Sequence, residues 1–314
     1  MKTAFVFPGQ GAQYIGMAKD YLAADEVLAK TLQDFDLKHN TNLAQAMAEG
    51  PEDLLKQTHL TQPAILFHSI CALTYFQNRY SLVPDFVAGH SLGEFSALVA
   101  SGILSLEDAM HLVHKRGEFM IRANEGTPFA MAAVIGLEAN QIVEICQAAS
   151  ATALVQAVNF NTPIQTVISG TAQGVEVASE LAKAKGAKRV LPLVVGGPFH
   201  TPLIAKASTW LAEEMAGIDF TDGRVPVVSN LDALPSISGS EARQKLERQI
   251  ISPVRWVQCV RHMIDAGVSR FVEFGPQKVL AGMIKNIDKE VNVYSIDLIS
   301  DLDALQEVLG QDRS

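Results

Sequence analysis

The sequence predicts an α/β fold built on a parallel sheet and interrupted by a smaller unit. Apolar strand-length runs alternate with helix-length segments along the whole chain. One run leads into the turn Gly89-His90-Ser91-Leu92-Gly93, and residues 126–195 read in the order β-α-β-β-α-β. The strands expected in the larger part are residues 4–7, 86–89, 225–229, 271–274 and 291–296. Pro8-Gly9-Gln10-Gly11 breaks the first and Gly275-Pro276 ends the fourth. Helix-length segments lie between them, as parallel crossovers require. In the smaller part, strands are expected at 131–135, 154–158, 166–169 and 189–194, and helices at 139–149 and 173–185. That order is the one found in ferredoxin-like units. Gly126-Thr127-Pro128 opens the unit and Gly196-Gly197-Pro198 closes it. The expected organisation is a discontinuous domain, 1–125 and 196–314, with a subdomain at 126–195 and a ligand cleft between them.

The chain has 314 residues, 48% hydrophobic and 19% charged, which is enough to bury a core without staples. Its 25 Lys and Arg against 34 Asp and Glu give a formal charge of −9, which argues against nucleic acid as a partner. Cys71, Cys146 and Cys259 are scattered, odd in number and form no CxxC pair, so neither a disulfide framework nor a cysteine-rich metal site is expected. The N-terminal apolar stretch is too short for a secretory signal, and no run approaches the roughly 18 apolar residues of a membrane span. A cytoplasmic protein, with no membrane association, is expected.

Gly89-His90-Ser91-Leu92-Gly93 fits G-x-S-x-G, with a strand before it and a helix after it. In that setting the glycines permit a sharp turn, and the serine stands at a helix N-terminus where free N–H groups favour developing negative charge. The plainer alternative is a glycine-rich turn with a capping serine. A serine nucleophile needs a base. Of eight histidines, His68, His111, His114 and His262 fall inside apparent helices, His39 and His59 lie in polar helix-like surroundings, and His90 adjoins the serine but points elsewhere. His200 follows a strand in an irregular segment, Gly196 to Pro202, and is the expected base. His111 and His114 are three apart with no third ligand nearby, so no metal is expected.

Ser105-Leu106-Glu107-Asp108 starts another helix, resembling a capping box with Asp in place of Glu. Its apolar stripe holds Ala109, Leu112, Val113 and Met120, and Arg116 falls on the same stripe. A guanidinium there is costly unless it meets an anion, either an internal carboxylate or a ligand, or snorkels at the edge. Gly9-Gln10-Gly11 hints at a dinucleotide loop, but Gly16 is the next glycine and no G-x-x-x-x-G-K-[ST] occurs.

The segments FVFPGQGAQ, GHSLGEFSALVASG, KRGEFM, GAKRVLPLVVGGPFH, VPVVSNLDA, SPVRWV and EFGPQKVL occur in that order. Together, from residue 3 to about residue 300, they resemble the malonyl-CoA:acyl carrier protein transacylases of fatty-acid biosynthesis. The resemblance implies an α/β-hydrolase-like core with a parallel sheet and an inserted ferredoxin-like subdomain. It implies Ser91 as acylated nucleophile and His200 as its base, oriented by a main-chain carbonyl near Gln249. It also implies Arg116 on the malonyl carboxylate, oxyanion donors at the Gln10 and Leu92 N–H groups, and Met120 and Gln249 in the substrate site. No cofactor is implied, since malonyl-CoA is a substrate, and the partner is acyl carrier protein. A monomer is expected. Lys183, Lys185, Lys188 and Arg189, with Lys278 and Lys285, are either a carrier-docking patch or a solvated face. A discrete acyltransferase of a polyketide or malonate-decarboxylating system, an acyl-thioester hydrolase and a non-enzymatic carrier-binding module are the alternatives. The chain departs from the family pattern at Pro128-Phe129 and at Gln277, where glycine is usual.

Overall fold

The computed structural model describes residues 1–124, 126–303 and 305. Glu125, residue 304 and residues 306–314, which close the expected segments of the larger domain, lie outside the described residues.

Ten strands form two sheets among the described residues: β1 (Lys2–Phe7), β2 (Phe86–Gly89), β3 (Phe129–Ile135), β4 (Val155–Thr162), β5 (Gln165–Thr171), β6 (Arg189–Pro192), β7 (Val227–Val228), β8 (Pro235–Ser236), β9 (Val268–Phe274) and β10 (Asn292–Ile296). The large sheet runs β10-β9-β1-β2-β7-β8, and every pairing is parallel except β7 with β8. β1 lies at its centre and is buried on both faces. Phe5 and Phe7 point into one apolar layer with Phe76 and Phe274, while Ala4 and Val6 point into the other with Val260 and Met263. Phe5 meets Phe76 and Phe274 edge-on at centroid distances of 5.5 and 4.8 Å, a geometry that adds about 0.5–1.5 kcal/mol per pair beyond burial.

The second sheet is antiparallel, in the order β4-β5-β3-β6, with helices Ala139–Ser150 and Ala172–Ala184 on one face. Ala132, Val134 and Ile168 face those helices, whereas Met131 and Val167, one residue out of phase, face the cavity described below. β4 is tied at Val254 to the segment just before the helix Trp256–Asp265. The Val254 N–H donates to Val158 O (2.7 Å) and its carbonyl accepts from Phe160 N–H (3.0 Å).

The observed fold is thus mixed α/β, with a parallel-rich sheet and a separate antiparallel one. Several strand ends differ from expectation, and three of these shifts border the site described below. The strand expected at 225–229 shrinks to β7, because Pro226 has no N–H for the ladder and Ser229 N–H already turns back to Leu234 O. That turn creates β8, the antiparallel strand the sequence reading lacked. β4 runs on to Thr162 through two register shifts, so Asn159 and Asn161 belong to a strand, not to a loop. β6 ends at Pro192, leaving Leu193 and Val194 exposed.

Candidate active site

β1 and β2 are neighbours, so the loops leaving their C-terminal ends stand side by side. The β2 loop is the elbow. Ser91 adopts φ +52°, a left-handed conformation that a non-glycine residue holds only when its surroundings impose it. The glycines on either side leave no room for side chains. A Cβ on Gly89 would lie 1.9 Å from Gly93 main-chain atoms, and one on Gly93 would lie 2.1 Å from Phe7 O. Asn230, following β7, fixes the turn: its Oδ1 accepts from Ser91 N–H (2.6 Å) and its Nδ2 donates to Gly89 O (2.7 Å).

His200 is buried and also left-handed, at φ +62°. Its Nδ1 lies 3.0 Å from Gln249 O and 3.1 Å from Ser252 O. Two carbonyls can only accept, so Nδ1 carries the proton and Nε2 keeps a free lone pair. Nε2 is 2.9 Å from Ser91 Oγ, which donates to it. Burial, and then the neighbouring Arg116 cation, hold the imidazole down to about 3, well below the usual histidine range, so it is a neutral acceptor at pH 7.

Arg116 lies on the helix Leu106–Arg122, whose N-cap Ser105 accepts from Asp108 N–H (3.0 Å). The side chain is 1% exposed. Nη1 donates to Gln62 Oε1 (2.9 Å), and Nη2 donates to Gln249 Oε1 and Ser91 Oγ (both 3.1 Å). Nε has no partner, and among the described residues no carboxylate lies within ion-pair distance of the guanidinium. Desolvation lowers its pKa to about 10, which leaves it cationic at pH 7. Of the alternatives open for a core-facing arginine, a direct internal ion pair is thereby removed.

These groups border one cavity of about 180 Å³, and Gln10, Ser91, Leu92, Arg116, Met120 and His200 line it. Gln249 lies beneath them and contacts Ser91, Arg116 and His200. Neither Gln10 N–H nor Leu92 N–H has a hydrogen-bond partner among the described residues. The opposite wall, Met131, Asn159, Asn161 and Val167, comes from the antiparallel sheet. His90 does not simply point away: it lines the cavity, and its Nε2 lies 2.8 Å from Asn161 Oδ1, linking elbow and β4. An outer groove of about 710 Å³ shares Gln10, Leu193 and Val195 with the lining of the cavity.

The sequence reading missed Gln62, Glu94 and Asn230. Each is a buried polar residue next to an apolar run, in LTQPAILF, LGEFSALV and VPVVSN. That was the available signal. Of the remaining histidines, His59 lines the outer groove and the others lie away from the cavity. His39, His111 and His114 pack ring against ring, and His68 lies 3.2 Å from Asp297 Oδ1. The described residues include no group of three or more His, Cys, Asp or Glu that could hold a metal ion, and no helix long and apolar enough to cross a membrane. Of the basic cluster, Lys183 is paired with Glu180 at 2.8 Å.

A hydroxyl hydrogen-bonded to a neutral imidazole, at a helix N-terminus with free N–H groups nearby, is equipment for moving an acyl group. The acyl transferase domain family matches residues 4–305. A malonyl CoA-acyl carrier protein transacylase of Bacillus subtilis (strain 168) is 43% identical over 94% of this chain and 93% of its own length. The protein of that name from Escherichia coli (strain K12) is 42% identical over 90% and 92%. The crystal structure of an acyl-carrier-protein S-malonyltransferase from Burkholderia pseudomallei 1710b superposes with a TM-score of 0.93, at 42% identity, over 98% of this chain and all of that one. A malonyl-transacylase solved in complex with its type II PKS acyl-carrier protein superposes equally well, at 37% identity over 98% and 100%. The chain belongs to the acyl transferase family, among the malonyl CoA-acyl carrier protein transacylases.

Proposed function

We propose that this chain moves a malonyl group from malonyl-CoA to the phosphopantetheine thiol of an acyl carrier protein in fatty-acid biosynthesis, in the cytoplasm and without a cofactor. One observation carries the reading: a buried cation with no carboxylate partner, Arg116, lies 3.1 Å from a serine oxygen that is itself 2.9 Å from a neutral imidazole. A buried guanidinium in that position suits an acyl group with an anionic end, which it grips bidentately.

His200 Nε2 takes the Ser91 proton as Oγ attacks the thioester carbon. The developing oxyanion is met by the Gln10 and Leu92 N–H groups, each such donor being worth about 2.7–4 kcal/mol of barrier. The imidazolium is stabilised through Nδ1–H by the Gln249 and Ser252 carbonyls, so the base works in a dyad with main-chain support. Coenzyme A leaves with the proton from His200, and Ser91 holds the malonyl ester. The carrier thiol then attacks that ester, and His200 takes the thiol proton and returns it to Ser91. Gln249, Gln62 and Met120 hold the Arg116 fork and the walls around it. The outer groove, which shares three lining residues with the cavity, suits the long thioester arm of either substrate.

We take residues 126–195 as a small ferredoxin-like subdomain interrupting an α/β-hydrolase-like domain at 1–125 and 196–314, with the cavity between them. The test is a loading assay with malonyl-CoA and holo carrier proteins from fatty-acid and polyketide systems. Malonyl appearing on the fatty-acid carrier, in step with coenzyme A release, is expected. Free malonate as the main product would indicate a hydrolase, and faster loading of the polyketide carrier would reassign the pathway.

A further inference from the structure

Glu94 is a buried carboxylate, 3% exposed, in the first turn of the helix that follows Ser91. Its Oε2 accepts from Asn230 N–H (2.9 Å) and Gln249 Nε2 (2.8 Å), and the Ser229 hydroxyl hydrogen-bonds to it as well. Burial, the dominant cause, holds its carboxyl above the usual carboxylate range, and these donors offset part of that rise. Neither N–H contact needs a proton from the carboxyl, and hydrogen bonds of this kind favour the ionised form over the neutral one. The nearby Lys245 is already shared between Asp232 (3.0 Å) and Glu241 (2.7 Å). The Gln249 side chain therefore joins a buried carboxyl and a buried guanidinium. Its Nε2 donates to Glu94 while its Oε1 accepts from Arg116, and its main-chain carbonyl accepts from His200.

We propose that Glu94 is a positioning residue for the transfer: through Gln249 it is the resident counter-charge of Arg116, and it limits how hard that guanidinium grips an anionic acyl group. A buried cation without compensation destabilises the fold. A cation compensated by direct contact would have no fork left for a ligand. One amide inserted between the charges meets both requirements, and it leaves Arg116 free to share its charge between Glu94 and the incoming carboxylate. This inference rests on Arg116 meeting the malonyl carboxylate.

Glu94→Gln tests it, since the amide oxygen can still accept both hydrogen bonds while the charge is lost. The melting temperature of that variant should fall by several degrees, and free malonate should raise it more than it raises the wild type. Arg116→Met added to Glu94→Gln should recover at least half of the loss, because both charges are then gone. In acyl transfer, Glu94→Gln should lower both KM and kcat for malonyl-CoA, and its malonyl-over-acetyl ratio of kcat/KM should rise several-fold. Glu94→Asp, which keeps the charge, should hold the wild-type ratio. A ratio that is unchanged or lower in Glu94→Gln, or additive losses in the double variant, would overturn the proposal. Should Glu94→Gln fail to fold, the charge-free double variant and Glu94→Asp still decide it. Wild-type enzyme that takes no malonyl from malonyl-CoA would instead defeat the functional reading, and the melting-temperature cycle would still report on the charge pair.

Discussion

His200 and the cluster of His39, His111 and His114 are two collections of imidazole in one molecule. Burial lowers His200, His39 and His114 alike, His39 to about 4 with the charge of His114 adding to the effect. The outer rings pack tilted against one another at centroid distances of 5.1 and 4.8 Å and end on carboxylates, with His111 Nε2 2.7 Å from Glu214 and His114 Nε2 3.4 Å from Glu118. His200 ends on a serine hydroxyl at the edge of a cavity. Perturbed basicity is thus common to both places and identifies neither. What separates them is convergence: two left-handed residues, Ser91 in the elbow after β2 and His200 fixed by the Gln249 and Ser252 carbonyls, are held so that hydroxyl, imidazole and guanidinium meet.

The largest expected effect is loss of either member of the pair. Ser91→Ala and His200→Ala should each lower kcat by about 10⁴-fold or more, and the double variant should be little worse than either, because the two act as a unit. His39→Gln and His114→Gln, measured in the same transfer assay, should stay within about tenfold of the wild type, the modest range of substitutions away from the chemistry. A collapse of activity in the outer variants would break the comparison.

Arg116→Ala should cost malonyl transfer roughly 2–5 kcal/mol in kcat/KM, the scale for removing one partner of a desolvated charge pair. Acetyl transfer should suffer less, and equal losses would mean that the guanidinium does not read the acyl carboxylate. Removing that cation also removes one of the causes that depress His200. The acid limb of kcat/KM should therefore lie well below pH 6.5 in the wild type and move upward in Arg116→Ala, as read from a pH–rate profile.

Stability sharpens the comparison from the other side. A folded-state pKa below the unfolded value of about 6.5 leaves the folded protein with fewer bound protons below that pH. The contribution is fully present above pH 6.5 and is lost as pH falls towards the folded value. For buried His200 that amounts to up to about 1.4 kcal/mol per pH unit. Denaturant titrations at pH 7, 6 and 5 should show the decline. His39→Gln should reduce the acid sensitivity of the fold without moving the acid limb of activity.

Much of this was legible in the residues. Apolar strand-length runs alternating with helix-length segments marked an α/β fold with a parallel sheet, and G-x-S-x-G between strand and helix marked the elbow. The stripe on Leu106–Arg122 placed Arg116 inward, although it left open whether an internal carboxylate met it. β8 and the end of β4 were not legible. One is a two-residue strand containing Pro235, and the other carries Asn159 and Asn161, whose polarity reads as loop and whose strand pairing is set by neighbouring β5 and Val254. Gln62, Glu94 and Asn230 were hidden because their partners lie 54, 155 and 139 positions away in sequence. Gln277, noted as a departure from a usual glycine, has φ +66°, which accounts for glycine being usual there; its side chain donates to Ala12 O (3.2 Å).

The central claim is a covalent one, and intact-mass analysis of the protein mixed with malonyl-CoA alone, followed by peptide mapping, tests it most directly. The account predicts one added malonyl group, carried on Ser91, absent from Ser91→Ala and discharged when a holo carrier protein is added. An unmodified protein under turnover conditions, or a malonyl group carried on any other residue, would contradict it.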